Sequence, residues 1–177
     1  MSDTKVPPVL YVLLAINALL LGGCIMAFEM VSSRFISPYF GGGIFAWGAI
    51  IATVLTGMSA GYVVGGLAAD RWQGVGIFGC LVIAAGVLVA VTPELVALAF
   101  PVLMDTVYDT RWASLIGAVM ILLVPTFVLA MHSPFEIRVL LKSTAAAGRT
   151  VGAMNGIATF GAIIGTLGTS FFLIPSF

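Results

Sequence analysis

Phe45-Ala-Trp-Gly-Ala-Ile-Ile-Ala-Thr-Val-Leu-Thr-Gly57-Met-Ser-Ala-Gly61-Tyr-Val-Val-Gly65-Gly-Leu-Ala-Ala69 contains no charged side chain. The hydrocarbon core of a bilayer is about 30 Å thick, and about 20 apolar residues of helix cross it. This stretch is therefore long enough to span. Gly57, Gly61 and Gly65, extended by Ala69, recur every four residues. On a helix that spacing stacks small residues on one face, where a neighbouring backbone can approach closely.

Four more segments read the same way. Spans are expected at about 9–28, 75–91, 113–131 and 151–173, beside the one at 45–69. The fold class is thus all-α, a single polytopic bundle of about five transmembrane helices covering residues 1–177. The stretch at about 93–108 is apolar but holds Pro93, Pro101 and Asp105. An interfacial or re-entrant segment is expected there, with a sixth span as the alternative. Composition agrees: 61% of the 177 residues are hydrophobic, 8% are charged, and mean hydropathy is +1.20. A soluble domain usually carries about 25% charged residues, so this chain is solvated by lipid, by partner proteins, or by both. Net charge is zero and no basic run is present, which gives no grip on nucleic acid.

Lys and Arg concentrate on the cytoplasmic side of membrane proteins. An inner N-terminus puts Lys5, Arg71, Arg138, Lys142 and Arg149 inside and Arg34 and Arg111 outside, with Glu94, Asp105 and Asp109 also outside. Five spans then leave the C-terminus outside, and a bacterial inner membrane is the expected location. The first span is preceded by one cation, Lys5, and followed by Glu-Met-Val-Ser-Ser-Arg. It reads as a retained helix, not a cleaved signal. Cys24 and Cys80 fall at different depths, so two free, buried thiols are expected. One His and two Cys supply no credible metal cluster, and no cofactor is expected.

Glu29 and Arg34 are the polar pair that needs a reason, because ionised groups at membrane depth are costly. Five residues apart on a helix is about 140° around the axis, so they pair only if the helix breaks near Ser32-Ser33. Either a tethering ion pair or a site for a cationic ligand at Glu29 fits the residues. Ser37-Pro38-Tyr39-Phe40-Gly41-Gly-Gly43 reads as a helix stop, and Tyr39, Phe40, Phe45 and Trp47 as an interfacial aromatic belt. Pro134 reads as the end of the fourth span, with His132 as a cap. Arg71, Glu136, Arg138 and Arg149 read as a cytoplasmic ion-pair cluster. A second four-residue glycine repeat, Gly148, Gly152 and Gly156, leads into the last span and continues with Gly161 and Gly165; helix packing is the expected role. No catalytic residue is expected.

Phe28-Glu-Met-Val-Ser-Ser-Arg-Phe-Ile-Ser-Pro-Tyr-Phe-Gly41 followed by Trp47 resembles the signature of the membrane region of fused major-facilitator/spermidine-synthase-like proteins. Gly57 through Asp70-Arg71, Ser133-Pro134-Phe-Glu-Ile-Arg138, Gly148-Arg149-Thr-Val-Gly152 and Gly165-Thr166 through Pro175 continue the resemblance along nearly the whole chain. It implies half of a major-facilitator-like fold. The family continues into a soluble aminopropyltransferase-like domain, whereas this sequence stops at Ile174-Pro-Ser-Phe177.

The expected function is a non-catalytic membrane subunit, anchoring or exchanging substrate with a separate spermidine-synthase-like enzyme. Its alternatives are a small homodimeric transporter of a cationic or amine solute and an accessory subunit of a larger redox or energy-converting complex. The expected partners are membrane lipid and other membrane chains, a hetero-complex before a homodimer.

Overall fold

The computed structural model describes residues 7–72, 75–140 and 147–176. Lys5 and Lys142, two of the cations used to orient the chain, lie outside the described residues. Five long helices account for nearly all of the rest. They are α1 (Pro8–Phe40), α2 (Ile44–Arg71), α3 (Val75–Thr106), α4 (Thr110–Leu140) and α5 (Ala147–Ser176). Each contains a stretch long and apolar enough to cross a membrane. The chain is an all-α integral membrane protein.

The helices are longer than the sequence implies, for one physical reason. Proline lacks an N–H and breaks helices in water. In hydrocarbon a chain that leaves the helix exposes many unpaired backbone groups, so a helix carrying one missing bond is the better state. Pro38, Pro93, Pro101 and Pro134 all lie inside helices. The first span therefore does not stop at Phe28, nor the fourth at Met131. The separate segment expected at 93–108 is replaced by an unbroken α3 that runs to Thr106. This also moves Glu94 from a loop to the exposed surface of a helix.

The ends that do form have local causes. Pro8 occupies the first turn of α1, where no N–H is needed. Gly41 closes that helix with φ +79°, a conformation that costs glycine little. Asp109 caps α4 by accepting from the Arg111 N–H at 2.9 Å. Two helices contain a π turn, Val119–Leu123 in α4 and Thr169–Leu173 in α5. Each lies two residues before a proline, Pro125 and Pro175, where the ordinary bonding register cannot continue.

Glycine sets the packing. In α2, a Cβ on Gly57 would meet the Thr126 side chain, one on Gly61 the Phe127 carbonyl, and one on Gly65 the Met131 carbonyl at 2.7 Å. Gly57, Gly61 and Gly65 thus seat α2 directly on α4. The second tight pair is α1 with α5, at Gly22 against Ala158, Gly161 against Leu19, and Gly165 against Gly23. Residue numbers rise together from Gly57 to Gly65 against Thr126 to Met131, and from Leu19 to Gly23 against Gly161 to Gly165, so both pairs are parallel. The expected seam at Gly148, Gly152 and Gly156 is not made within the chain: a Cβ at any of the three has nothing within 4 Å. The face one turn further along α5 makes the contact instead.

At the end that holds the Gly41–Gly43 turn, Phe100 is fully buried. It packs on Phe40 at 5.1 Å and edge-on to Tyr39 at 5.2 Å between ring centroids. These two aromatics turn into the bundle and leave Phe45 and Trp47 exposed, with Arg111 stacked 4.8 Å above the Phe45 ring. Cys24 and Cys80 are free but exposed on helix surfaces, not buried.

Candidate functional site

Between the α1–α5 pair and the α2–α4 pair lies a cavity of about 720 Å³. It is an open groove, and the polar end of its mouth lies where α2 and α4 finish. There the Arg138 Nε and Asp70 Oδ1 stand 3.3 Å apart, at 47% and 73% exposure. A pair so exposed contributes about 0–1 kcal/mol to stability, so its placement at the opening matters more than its energy. Further along the groove α2 presents Tyr62 and α5 presents Asn155 and Thr159, all three exposed. Ile25, Met26 and Met58 make the apolar inner wall. The space suits a solute with a polar, charged end and an apolar body.

Glu29 lies beyond that inner wall. It is one turn past Ile25 on the same face of α1, and is buried at 8% exposure. Arg34 is exposed, and the two make no ion pair. The helix runs straight through Ser32-Ser33, so the angular separation expected of a continuous helix holds them apart. Among the described residues, Asp70–Arg138 is the ion pair present.

The expected cytoplasmic cluster is therefore rearranged. Arg71 and Arg149 are exposed. Glu136 is 2% exposed, and its Oε1 has no hydrogen-bond partner. His132 is not a cap, because α4 continues for two more turns. It is buried, with Nδ1 hydrogen-bonded to the Leu129 carbonyl, and it lines the cavity. Pro134 lines the cavity from within the helix. Pro38, Tyr39, Phe40, Gly41 and Trp47 gather at the opposite end of the bundle.

Sequence reasoning placed Asp70 and Arg138 on one side but did not pair them, and it missed Tyr62, Asn155 and Thr159. The available signal was polarity within apolar runs, since a polar side chain inside a span usually faces the bundle interior. Comparison with known protein families, with characterised proteins and with solved structures finds no match to this chain.

Proposed function

We propose that this chain is a non-catalytic membrane subunit that takes up a small amine solute in the cavity and exchanges it with a partner. The observation that carries this reading is the cavity itself. It has the Asp70–Arg138 pair at its mouth, whose exposed carboxylate a competing ammonium can reach, donors and acceptors along its wall, an apolar inner surface, and a buried carboxylate beyond. An alkyl amine presents matching chemistry, with a cation at the end and methylenes along the body. The resemblance to spermidine-synthase-like membrane regions supports the same class of solute.

The purified full-length chain in mild detergent gives the test, with spermidine and putrescine as probes and a neutral diol of similar length as control. A ligand at one hundred times its Kd adds about 2.7 kcal/mol to stability, a clear rise in melting temperature. Asp70→Asn is expected to remove most of that rise and to leave the unliganded melting temperature nearly unchanged. Equal responses to amine and diol, or an undiminished amine response in Asp70→Asn, count against the proposal.

The same reading assigns a partner surface. Gly148, Gly152 and Gly156 form an exposed small-residue face, and small faces in lipid are where helices associate. Glu94 stands exposed among apolar neighbours on α3, where a partner's donor would relieve its cost. The partner is a different membrane chain carrying the enzymatic step.

The Lys/Arg distribution supports a cytoplasmic cavity mouth, and the reading takes the membrane to be a bacterial inner membrane, where such an enzyme would work. Epitope tags at the two ends of this chain are expected to be accessible on opposite faces of spheroplasts. Both tags on one face would put the mouth and the described helices out of register with this reading.

A further inference from the structure

The chain's single histidine lines the cavity, and the solute reading gives it no task. His132 is set back from the mouth. The Met131 backbone lies against Gly65, so His132 stands level with Gly65 and Gly66 of α2, between Tyr62 and Asp70 along the same wall. Leu140 ends α4 eight residues later, about 12 Å away at 1.5 Å per residue.

One hydrogen bond fixes the state of the ring. Nδ1 pairs with the Leu129 carbonyl, and a carbonyl only accepts, so Nδ1 carries the hydrogen. In the uncharged ring Nε2 is then left with the lone pair. It lies on the edge of the ring away from that bond to its own helix. A proton added to His132 goes to Nε2 and nowhere else.

The charges around it are few. From α2 the cavity wall carries Tyr62 and Asp70, and from α4 Arg138. The cavity residues of α1 and α5 do not ionise. Glu136 is one turn further along α4 and buried, outside the cavity lining. Behind α4, α3 packs through Ile77 and Leu81, with Cys80 and Glu94 exposed. Asp70 and Arg138 are paired with each other, so the lining is neutral while His132 is uncharged. One bound ammonium brings it to +1, and a protonated His132 does the same. Both together put two cations in about 720 Å³, against an apolar inner wall. Repulsion over such a distance, at the dielectric of a site near the protein surface, weakens binding about tenfold.

We propose that the cavity exchanges an amine for a proton: it holds either a protonated amine or a proton on His132 Nε2, and entry of one expels the other. The ammonium enters with its own hydrogens and the imidazolium gives one proton to water, so charge balances. The freed Nε2 lone pair then accepts from an ammonium N–H. This rests on the solute reading and adds a direction to it, with uptake favoured on the less acidic side of the membrane and release on the more acidic one.

The experiment measures putrescine binding to the purified full-length chain by calorimetry at constant ionic strength. Imidazole is the side chain that ordinarily changes charge between about pH 5.5 and 7.5, whereas alkyl ammonium groups such as those of putrescine titrate near pH 10. The Kd is expected to be about tenfold weaker at the lower pH, with a proton released to the medium on binding there. His132→Gln, which keeps a neutral acceptor of similar reach, is expected to bind equally at both pH values and to release none. Glu136→Gln is expected to keep both effects. No binding of putrescine at either pH removes the solute reading and the exchange with it. Binding with one Kd at both pH values overturns the exchange and leaves the solute reading standing. A pH effect that survives in His132→Gln, or vanishes in Glu136→Gln, also overturns it. Should His132→Gln fail to fold, His132→Asn retains a donor for the Leu129 carbonyl and takes its place; if neither folds, the parent and Glu136→Gln decide.

Discussion

Gly161→Leu is expected to prevent this protein from folding, while Gly152→Leu leaves its fold intact. The two glycines lie on one helix in similar apolar surroundings, and only the neighbour differs. At Gly161 a Cβ would run into the backbone carbonyl, carbonyl carbon and Cα of Leu19. Backbone atoms of a packed helix cannot step aside, so α1 and α5 would separate and their shared core would open. Overpacking in a core costs about 1–3 kcal/mol and sometimes more; an obstruction made wholly of backbone belongs at or above the top of that range. At Gly152 nothing lies within 4 Å, so leucine adds apolar surface to lipid at little cost. The measurement is the yield of monodisperse protein in mild detergent, with melting temperature where protein is obtained. If Gly152→Leu assembles into the membrane but loses co-purifying chains, the face is an interface; if Gly161→Leu melts like the parent, the α1–α5 pairing described above is wrong.

Gly57→Ala should destabilise by about 1–3 kcal/mol, and Thr126→Ala should return part of the loss. A Cβ at Gly57 would strike the Thr126 hydroxyl first, then the Leu123 carbonyl at 3.0 Å and the Phe127 nitrogen at 3.2 Å. Deleting the hydroxyl relieves the first collision but not the two backbone contacts, so rescue is partial. Residues in contact give non-additive changes of about 0.5–3 kcal/mol in double-mutant cycles. A cycle with no coupling would mean that α2 and α4 do not meet at this register.

Sequence was a good guide to the number of helices and a poor one to their ends and faces. Runs such as Phe45–Ala69 exceed the bilayer thickness, and lipid leaves them no alternative to helix. Ends were misread because Pro38, Pro93 and Pro134 were treated as stops, a rule that holds where water can satisfy the carbonyls that proline frees. Faces were misread because a helix between lipid and apolar protein is not amphipathic. Gly148, Gly152 and Gly156 look the same in sequence as Gly57, Gly61 and Gly65; only the partner helix shows that one row is packed and the other open. The cavity was legible only in pieces. Asp70 and Arg138 lie 68 positions apart, and Tyr62, Asn155 and Thr159 carry no spacing that links them. Glu29 stood out by charge alone.

The π turn at Val119–Leu123 acts as a phase shift. An extra residue in one turn advances everything that follows by about 100° around the helix axis relative to an unbroken α-helix. His132 and Arg138 reach the cavity through that offset, on the far side of the turn from Ala113 and Gly117. A version of this chain one residue shorter between 119 and 123 would keep its hydropathy profile, its span count and its orientation. Its fourth helix would nonetheless point His132 and Arg138 away from the cavity and Glu136 onto a different neighbour. For proteins of this build, a single-residue gap within a span would be a change of interior with no change of topology.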